Sequence, residues 1–492
     1  MKNRRRILVI LLSICIVAAM MPVTGFASEE EDSAEPEITE GVEWVDQEAA
    51  GLAEVTAAGK LASRQLSYER IAGADRYETS IKVAEKVVGD KGSLDTVVIA
   101  TGKKYPDALS GGALANNAGA PLILVNEKAS VQERIISFIE EYRGESITVY
   151  LLGGTDTVDT EFEDRITSLE NCDCIRFAGV DRYETNLMVI KEINNRFGIN
   201  DRKMFIATGN GYADSLSVSG YLSPVMLVQN VLTDEQKQFL AAEGSLSFIV
   251  MGSNKSVSDT VYEELQPYKD TIIRYSGEDR YETSVMASEI EENGLENVMY
   301  VRGDNFPDGL SAGPLANKLG APIVLVPLSG TNTYIYEYNM YSEAEGIKHI
   351  IIIGGPTSVK DSAARIYNCL VLTDISEQRL MCFVNGNLKL DADVITGTKG
   401  KYDTPIGTYS VYNKARNTHL RGSGWDYDID AWIGFIGRQY GFHDAWWVDD
   451  SLFDTHKQYL RNGSHGCVNM RTKDVLALYD MVKTGTPVII KN

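Results

Sequence analysis

The chain has 492 residues, 44% of them hydrophobic, and a formal net charge of −22. That length allows three or four domains with sizeable cores, and the composition excludes a disordered chain. So negative a balance excludes nucleic acid or an anionic membrane as partners held by bulk electrostatics.

In chain order, residues 1–27 read as a secretory signal peptide. Lys2, Arg4, Arg5 and Arg6 precede an apolar run of 15 residues, Ile7 to Met21, and Gly25-Phe26-Ala27 offers small residues for cleavage. The run is shorter than the ~20 residues of a spanning helix. The expected mature chain is exported, has no membrane contact after cleavage and carries a charge of −26. Five cysteines remain: Cys172, Cys174, Cys369, Cys382 and Cys467. An odd count leaves at least one thiol unpaired. Cys172 and Cys174 are too close to bridge each other comfortably, and no zinc-type spacing surrounds them. No metal and no cofactor is expected. Residues 28–67 are acidic and aperiodic, and read as a linker.

The chain then repeats itself. Arg70-Ile-Ala-Gly-Ala-Asp-Arg-Tyr-Glu-Thr79 returns as Arg176-Phe-Ala-Gly-Val-Asp-Arg-Tyr-Glu-Thr185 and as Arg274-Tyr-Ser-Gly-Glu-Asp-Arg-Tyr-Glu-Thr283. Gly73 and Gly179 are 106 residues apart, Gly179 and Gly277 98, which suits a small domain rather than a solenoid unit. Each copy carries a Val97-to-Gly102-like run, an Asp107-x-Leu-Ser110-like motif and a Pro121-to-Val125-like aliphatic run. Such short, β-branched, non-alternating runs suit strands buried on both faces of a parallel sheet. Helical patterns such as Ser130 to Tyr142 alternate with them, so each copy is expected to be a small α/β sandwich. The Thr of each Tyr-Glu-Thr and the Asp of each Asp-x-Leu-Ser are expected to cap helices. Arg76, Arg182 and Arg280 are candidates to hold a phosphate or carboxylate. A Glu two residues after each offers the competing reading of an internal ion pair. The absence of Gly-x-Gly-x-x-Gly and Walker patterns discounts a nucleotide site.

At these residues the chain resembles the cell-wall-binding type 2 repeat family. The resemblance implies three Rossmann-like units about a pseudo-threefold axis, binding an anionic secondary cell-wall polysaccharide without a covalent bond. An aliphatic station tied to polymer binding in that family aligns here with Leu122, Ile123 and Leu124.

After Asp374 the texture changes to Gly, Tyr and Thr at turn spacing. Arg379 to Val384, Asn385-Gly386 and Leu388 to Val394 read as a hairpin. Thr408 to Tyr412 and Pro487 to Lys491 read as strands, the latter after a helix at Thr472 to Val482. The chemistry centres on Ser464-His465-Gly466-Cys467-Val468-Asn469-Met470-Arg471. A cysteine is a good nucleophile, more so beside an imidazole or clustered amides. Gly466 allows close backbone approach, and the amides of His465, Gly466 and Cys467 are expected to form an oxyanion hole. His443 is the expected base; His465, two residues from Cys467, is expected to support the loop, and His456 to face solvent.

This region resembles the L,D-transpeptidase (YkuD-type) family. The carriers are Thr404-Pro405-Ile406-Gly407-Thr408-Tyr409, Gly441-Phe442-His443-Asp444 and Ser464 to Asn469. The resemblance implies Cys467 as nucleophile, His443 as base, the Asp444 carbonyl as the group that orients it, and Arg471 near the acyl-donor site. The substrate would be a peptidoglycan stem peptide. Its terminal D-Ala would leave, and a side-chain amine of another stem would take the acyl group. Ser464, Asn469, Trp425 and Trp446 are expected to meet that substrate, at least one of the two tryptophans by lining the groove. Water as acceptor would make the domain an L,D-carboxypeptidase. A surface-layer binding protein with little catalytic activity is a further alternative, as is a cysteine endopeptidase acting on wall peptides, against which the lack of a longer cysteine-hydrolase domain argues.

The expected fold class is multidomain: three α/β Rossmann-like (flavodoxin-like) repeats in a pseudo-threefold arrangement plus a mainly β L,D-transpeptidase domain. The boundaries read as 68–173, 174–272 and 273–373 for the repeats and 376–492 for the catalytic domain. The expected location is the cell wall or surface layer of a Gram-positive bacterium.

Overall fold

A computed structural model describes residues 63–492 apart from 291–295, 331–333, 336–337, 340–346, 368, 385–386 and 423–424. The expected signal peptide and nearly all of the linker lie outside the described residues. The chain divides into two compact units, one of residues 66–338 with 345–364, the other chiefly residues 365–492.

The first unit holds three four-stranded parallel sheets. The order in the first is Leu122–Val125, Leu94–Thr101, Arg143–Leu152, Cys172–Phe177. In the second it is Val225–Val228, Lys203–Thr208, Leu246–Met251, Lys269–Tyr275. In the third it is Ile323–Val326, Asn297–Arg302, His349–Ile353, Tyr68–Ile71. Each sheet thus takes its fourth strand from a repeated Arg-x-x-Gly segment. The strand before the first repeat closes the third sheet, with Tyr68 opposite Ile350 and Ile71 opposite Ile353. The sheets therefore cut across the boundary drawn from the sequence at 173. The repeated arginines Arg70, Arg176 and Arg274 secure this exchange. Each donates from Nη1 to the carbonyl of Gly354, Gly153 or Gly252, at 2.6, 2.8 and 2.9 Å.

The caps differ from those expected. The helices Arg76–Val88, Arg182–Phe197 and Arg280–Ala287 are capped by Asp75, Asp181 and Asp279, whose carboxylates accept two amides each. Thr79 Oγ1 instead receives the Gly73 amide at 3.0 Å. Asp107 lies inside the first turn of Pro106–Ala118 and does not cap it.

The strands of the second unit are labelled here in chain order: β1 Cys369–Asp374, β2 Arg379–Val384, β3 Asn387–Asp393, β4 Gly407–Ser410, β5 Asn413–Gly422, β6 Trp425–Ile436, β7 Tyr440–Asp444, β8 Val468–Met470 and β9 Pro487–Lys491. One sheet has the order β3-β2-β1-β9-β4, the other β5-β6-β7-β8. The helix Thr472–Met481 buries Val475 and Leu478 in the core that contains Val468, Met470 and Phe442. The Asn385-Gly386 turn lies outside the described residues, but its flanking strands pair antiparallel from Arg379 opposite Asp393 to Val384 opposite Asn387. Cys369–Asp374 is a central strand here, between β2 and β9. The sequence had put its first residues in the third repeat, because a buried parallel-paired strand looks the same in either fold. Among the described residues no helix is long and apolar enough to cross a membrane.

Candidate active site

Three strands of the second sheet build the site in two rows. Trp432, His443 and Asn469 stand opposite one another across β6, β7 and β8, so they share one face. In the next row Gly434 faces Gly441, and the register carried on by one pair sets Cys467 beside Gly441. The two glycines leave space that the Trp432 indole fills. A Cβ on Gly441 would come within 2.8 Å of that ring, and one on Gly434 within 2.9 Å of its Nε1. The indole is fixed by a hydrogen bond from Nε1 to Asn413 Oδ1 at 2.8 Å.

His443 is buried, 4% exposed, and stacks on Trp432 and Trp447 with centroids 6.0 and 6.1 Å away. Its Nδ1 lies 2.8 Å from the carbonyl oxygen of Asp444, which requires the proton on Nδ1 and leaves Nε2 as the acceptor. Burial pushes the imidazole down to about 4, against the pull of the Asp444 carbonyl. The Asp444 carboxyl plays a separate part: Oδ1 accepts the amides of Asp430 and Ala431 at 2.8 and 3.0 Å, tying β7 to β6.

Cys467 is half-buried, and burial pushes its thiol up to about 11, with the Gly441 amide pulling it back. The thiol donates to the Gln439 carbonyl at 3.7 Å rather than to His443. Burial thus favours a neutral thiol and a neutral imidazole in the resting site.

The loop before Cys467 is held from within and from residues 396–404. Ser464 Oγ accepts the Gly466 amide at 3.0 Å and donates to the Cys467 carbonyl at 2.5 Å. Thr404 Oγ1 accepts the Gly397 amide at 2.9 Å and donates to the Gly466 carbonyl at 2.8 Å. Gly466 has φ +111°, and a Cβ there would meet the Tyr440 ring at 2.4 Å, so glycine is required.

Several expected roles change. The Gly466 amide, expected in the oxyanion hole, donates to Ser464 Oγ in this structure. Ser464 shapes the loop through its bonds to the Gly466 amide and the Cys467 carbonyl. Arg471, 12% exposed at its side chain, is surrounded by Asp393, Asp450 and Asp454, so its charge is already compensated. His465 is exposed and packs at a tilt against Tyr402, centroids 4.5 Å apart. His456 is exposed as expected and pairs with Asp393 at 3.0 Å. Trp446 is 62% exposed and pinned by its Nε1 to the Asp428 carbonyl at 2.8 Å. The side chain of Trp425 lies outside the described residues. Asn469 shares the row with His443, and its buried Oδ1 has no partner. Trp432 and Trp447 stand out in the sequence as part of the aromatic group around His443, expected as cover for the groove or as core; the structure stacks both on the imidazole, while Asn413 carries no signal until the pairing is known.

In the repeats, Arg76, Arg182 and Arg280 donate to the carbonyls of Gly102, Gly209 and Gly303 at 2.7, 2.6 and 2.8 Å. Their guanidiniums stand over the rings of Phe306, Tyr105 and Tyr212. Those three rings meet one another with centroids 5.7, 5.5 and 5.5 Å apart. The signal for them was an aromatic residue two positions before each Asp-x-Leu-Ser aspartate. The ion pairs weighed from the sequence do not form, because Glu78, Glu184 and Glu282 accept the amides of Ala74, Val180 and Glu278. Leu122, Ile123 and Leu124 are 1, 0 and 0% exposed. They fill the core and offer no surface to a polymer. Among the described residues no group of His, Cys, Asp or Glu is arranged to hold a metal ion.

The description "cell wall binding domain 2" matches residues 70–163, 176–262 and 274–364, more than half of the chain. The chain belongs to that family. Residues 370–490 match the YkuD L,D-transpeptidase catalytic domain. The repeat region is similar to the N-acetylmuramoyl-L-alanine amidase LytC of Bacillus subtilis, 26% identical over 61% of this chain and 57% of the relative. The catalytic region is similar to the probable L,D-transpeptidase 3 of Mycobacterium tuberculosis, 29% identical over 18% of this chain and 35% of the relative. Among solved structures, Cwp6 from Clostridium difficile matches with a TM-score of 0.54 at 25% identity, over 61% of this chain and 48% of that one. The chain thus spans about half the length of the amidase and of Cwp6. As a family member with a transpeptidase domain, it is a wall-associated protein of two functional parts.

Proposed function

We propose that this protein is an exported, wall-held L,D-transpeptidase that joins the third residues of peptidoglycan stem peptides. The observation that carries the reading is the β7–β8 pairing. It sets a cysteine and a histidine, 24 residues apart in sequence, on one face, with the histidine tautomer already fixed by the Asp444 carbonyl.

When a stem tetrapeptide enters, the Cys467 thiol leaves Gln439 and gives its proton to His443 Nε2. The sulfur attacks the carbonyl of the third residue. The imidazolium returns the proton to the departing amine of D-Ala, leaving a thioester on Cys467. A side-chain amine of a second stem then attacks the thioester. Its proton passes through His443 to the released sulfur, restoring the starting pair. No cofactor takes part.

The cyclic strand exchange and the near-equal ring spacings support a pseudo-threefold arrangement of the Rossmann-like repeats. Their role is to hold the enzyme on an anionic wall polysaccharide at the surface of a Gram-positive cell. Arg76, Arg182 and Arg280 are the proposed polymer contacts, and the signal peptide at 1–27 is the proposed means of export. Incubating purified disaccharide-tetrapeptide with the protein and with Cys467→Ala tests the enzyme reading by mass spectrometry. Dimer lacking one D-Ala, formed only with Cys467, is expected. Tripeptide alone would mean a carboxypeptidase, and no Cys467-dependent product would mean a binding protein.

A further inference from the structure

We propose that Trp432 and Trp447 are positioning residues that hold His443 in its neutral, Nδ1-protonated form, so that the site keeps its base at acidic pH. The inference rests on the cysteine–histidine chemistry proposed above.

Both rings stack on the imidazole, at interplanar angles of 15° and 27°. Neither is loosely held. Trp432 is 1% exposed, lies over Gly434 and Gly441, and is anchored on Asn413 Oδ1. Trp447 stacks on Tyr427 with centroids 3.9 Å apart and meets Trp446 edge-on at 5.8 Å. The imidazole is thus buried beside the two indoles, where loss of hydration disfavours its charged form. An indole face does attract a cation, but more weakly than bulk water does.

The titratable groups near His443 do not supply the missing stabilisation. Cys467, just before β8, turns its thiol to the Gln439 carbonyl, and burial favours the protonated thiol. From its own strand the Asp444 carboxylate is turned to the amides of Asp430 and Ala431. From β6 and from the segment after β7, the uncharged rings of Trp432 and Trp447 stack on it. The sole contact that favours the cation is the Asp444 carbonyl at Nδ1, which also sets the tautomer.

Histidine NMR of the full mature chain tests this without relying on activity. Wild-type His443, assigned by its loss in His443→Gln, is expected to titrate near pH 4. In Trp447→Leu water reaches the ring, and the midpoint is expected to rise by about one unit or more towards the ordinary histidine value. Trp447→Phe keeps an aromatic face and is expected to stay near the wild-type midpoint. Asn413→Leu, which removes the anchor of Trp432, gives a second route to the same rise if Trp447→Leu fails to fold. In parallel, the rate of Cys467 acylation at pH 5 relative to pH 7 is expected to fall by about twofold or more in Trp447→Leu. A wild-type midpoint near 6.5, or one unmoved in Trp447→Leu and Asn413→Leu, overturns the inference. A site never acylated by stem peptide sinks the transpeptidase reading instead, and leaves the NMR result to judge the clamp.

Discussion

Cys467 and His443 share one face of neighbouring parallel strands but stand one row apart. His443 is level with Asn469, and Cys467 with Gly441. That offset puts their Cα atoms about 8 Å apart, by the usual strand spacing and rise. In this resting arrangement the thiol is directed to the Gln439 carbonyl and not to His443.

The first consequence concerns the thiol. With Cys467 pushed up to about 11, little thiolate exists at neutral pH. Iodoacetamide labelling of Cys467 is expected to quicken about tenfold per pH unit between 7 and 10, because only the thiolate reacts. Labelling that is already maximal below pH 8 would mean a preformed thiolate–imidazolium pair.

The same burial makes stability pH-dependent. His443 falls from 6.5 to about 4 on folding. Its folded value is depressed, so the stability is fully present above 6.5 and is lost as pH falls through 4. Over that window the unfolded chain takes up a proton that the folded one refuses, an effect of roughly 3 kcal/mol. Four of the five tryptophans lie in the catalytic domain, so urea unfolding followed by tryptophan fluorescence reads it. The drop between pH 7 and 4 is expected to shrink in His443→Gln; an equal drop in both proteins would assign it to other groups.

Arg471 is expected to matter for stability rather than for substrate binding. It ties the end of β3 to the helix Asp450–Phe453 and the residue after it through Asp393, Asp450 and Asp454. Arg471→Ala is expected to destabilise the catalytic domain by about 1–3 kcal/mol. KM for the stem peptide is expected to stay within about twofold, and a large rise in KM at unchanged stability would restore the substrate role.

In the repeats, two sets of variants separate core from contact. Leu124→Ala removes a fully buried side chain and is expected to cost about 2–5 kcal/mol of stability. Any loss of wall binding in it should follow unfolding. Changing Arg76, Arg182 and Arg280 together to Gln is expected to weaken binding to purified wall polysaccharide while the protein stays folded. Native-level binding by that triple variant would exclude them as contacts.

Much of this could be read from the residues themselves. Three copies of Asp-Arg-Tyr-Glu-Thr announce three α/β units, and Cys467 and His443 stand out because their chemistry is tied to a short motif. What stayed hidden depends on pairing between distant segments. That Tyr68–Ile71 closes the third sheet is invisible locally, since the segment looks like the start of its own repeat. The roles of Trp432, Gly434 and Gly441 become legible only when β6 and β7 are in register. Arg471 looked available because its three aspartates lie 17 to 78 residues away in the chain. The helix caps were misjudged by a few residues, because Asp75 and Thr79 both have capping side chains and only the backbone angles choose between them.

The central claim is that Cys467 carries the acyl group. Intact-protein mass spectrometry after brief mixing with disaccharide-tetrapeptide, followed by peptide mapping, tests it most directly. The expected result is an adduct of the donor minus D-Ala on the peptide containing Cys467, absent in Cys467→Ala and discharged by an added amine. Cross-linked product formed without such an adduct, or formed equally by Cys467→Ala, would contradict it.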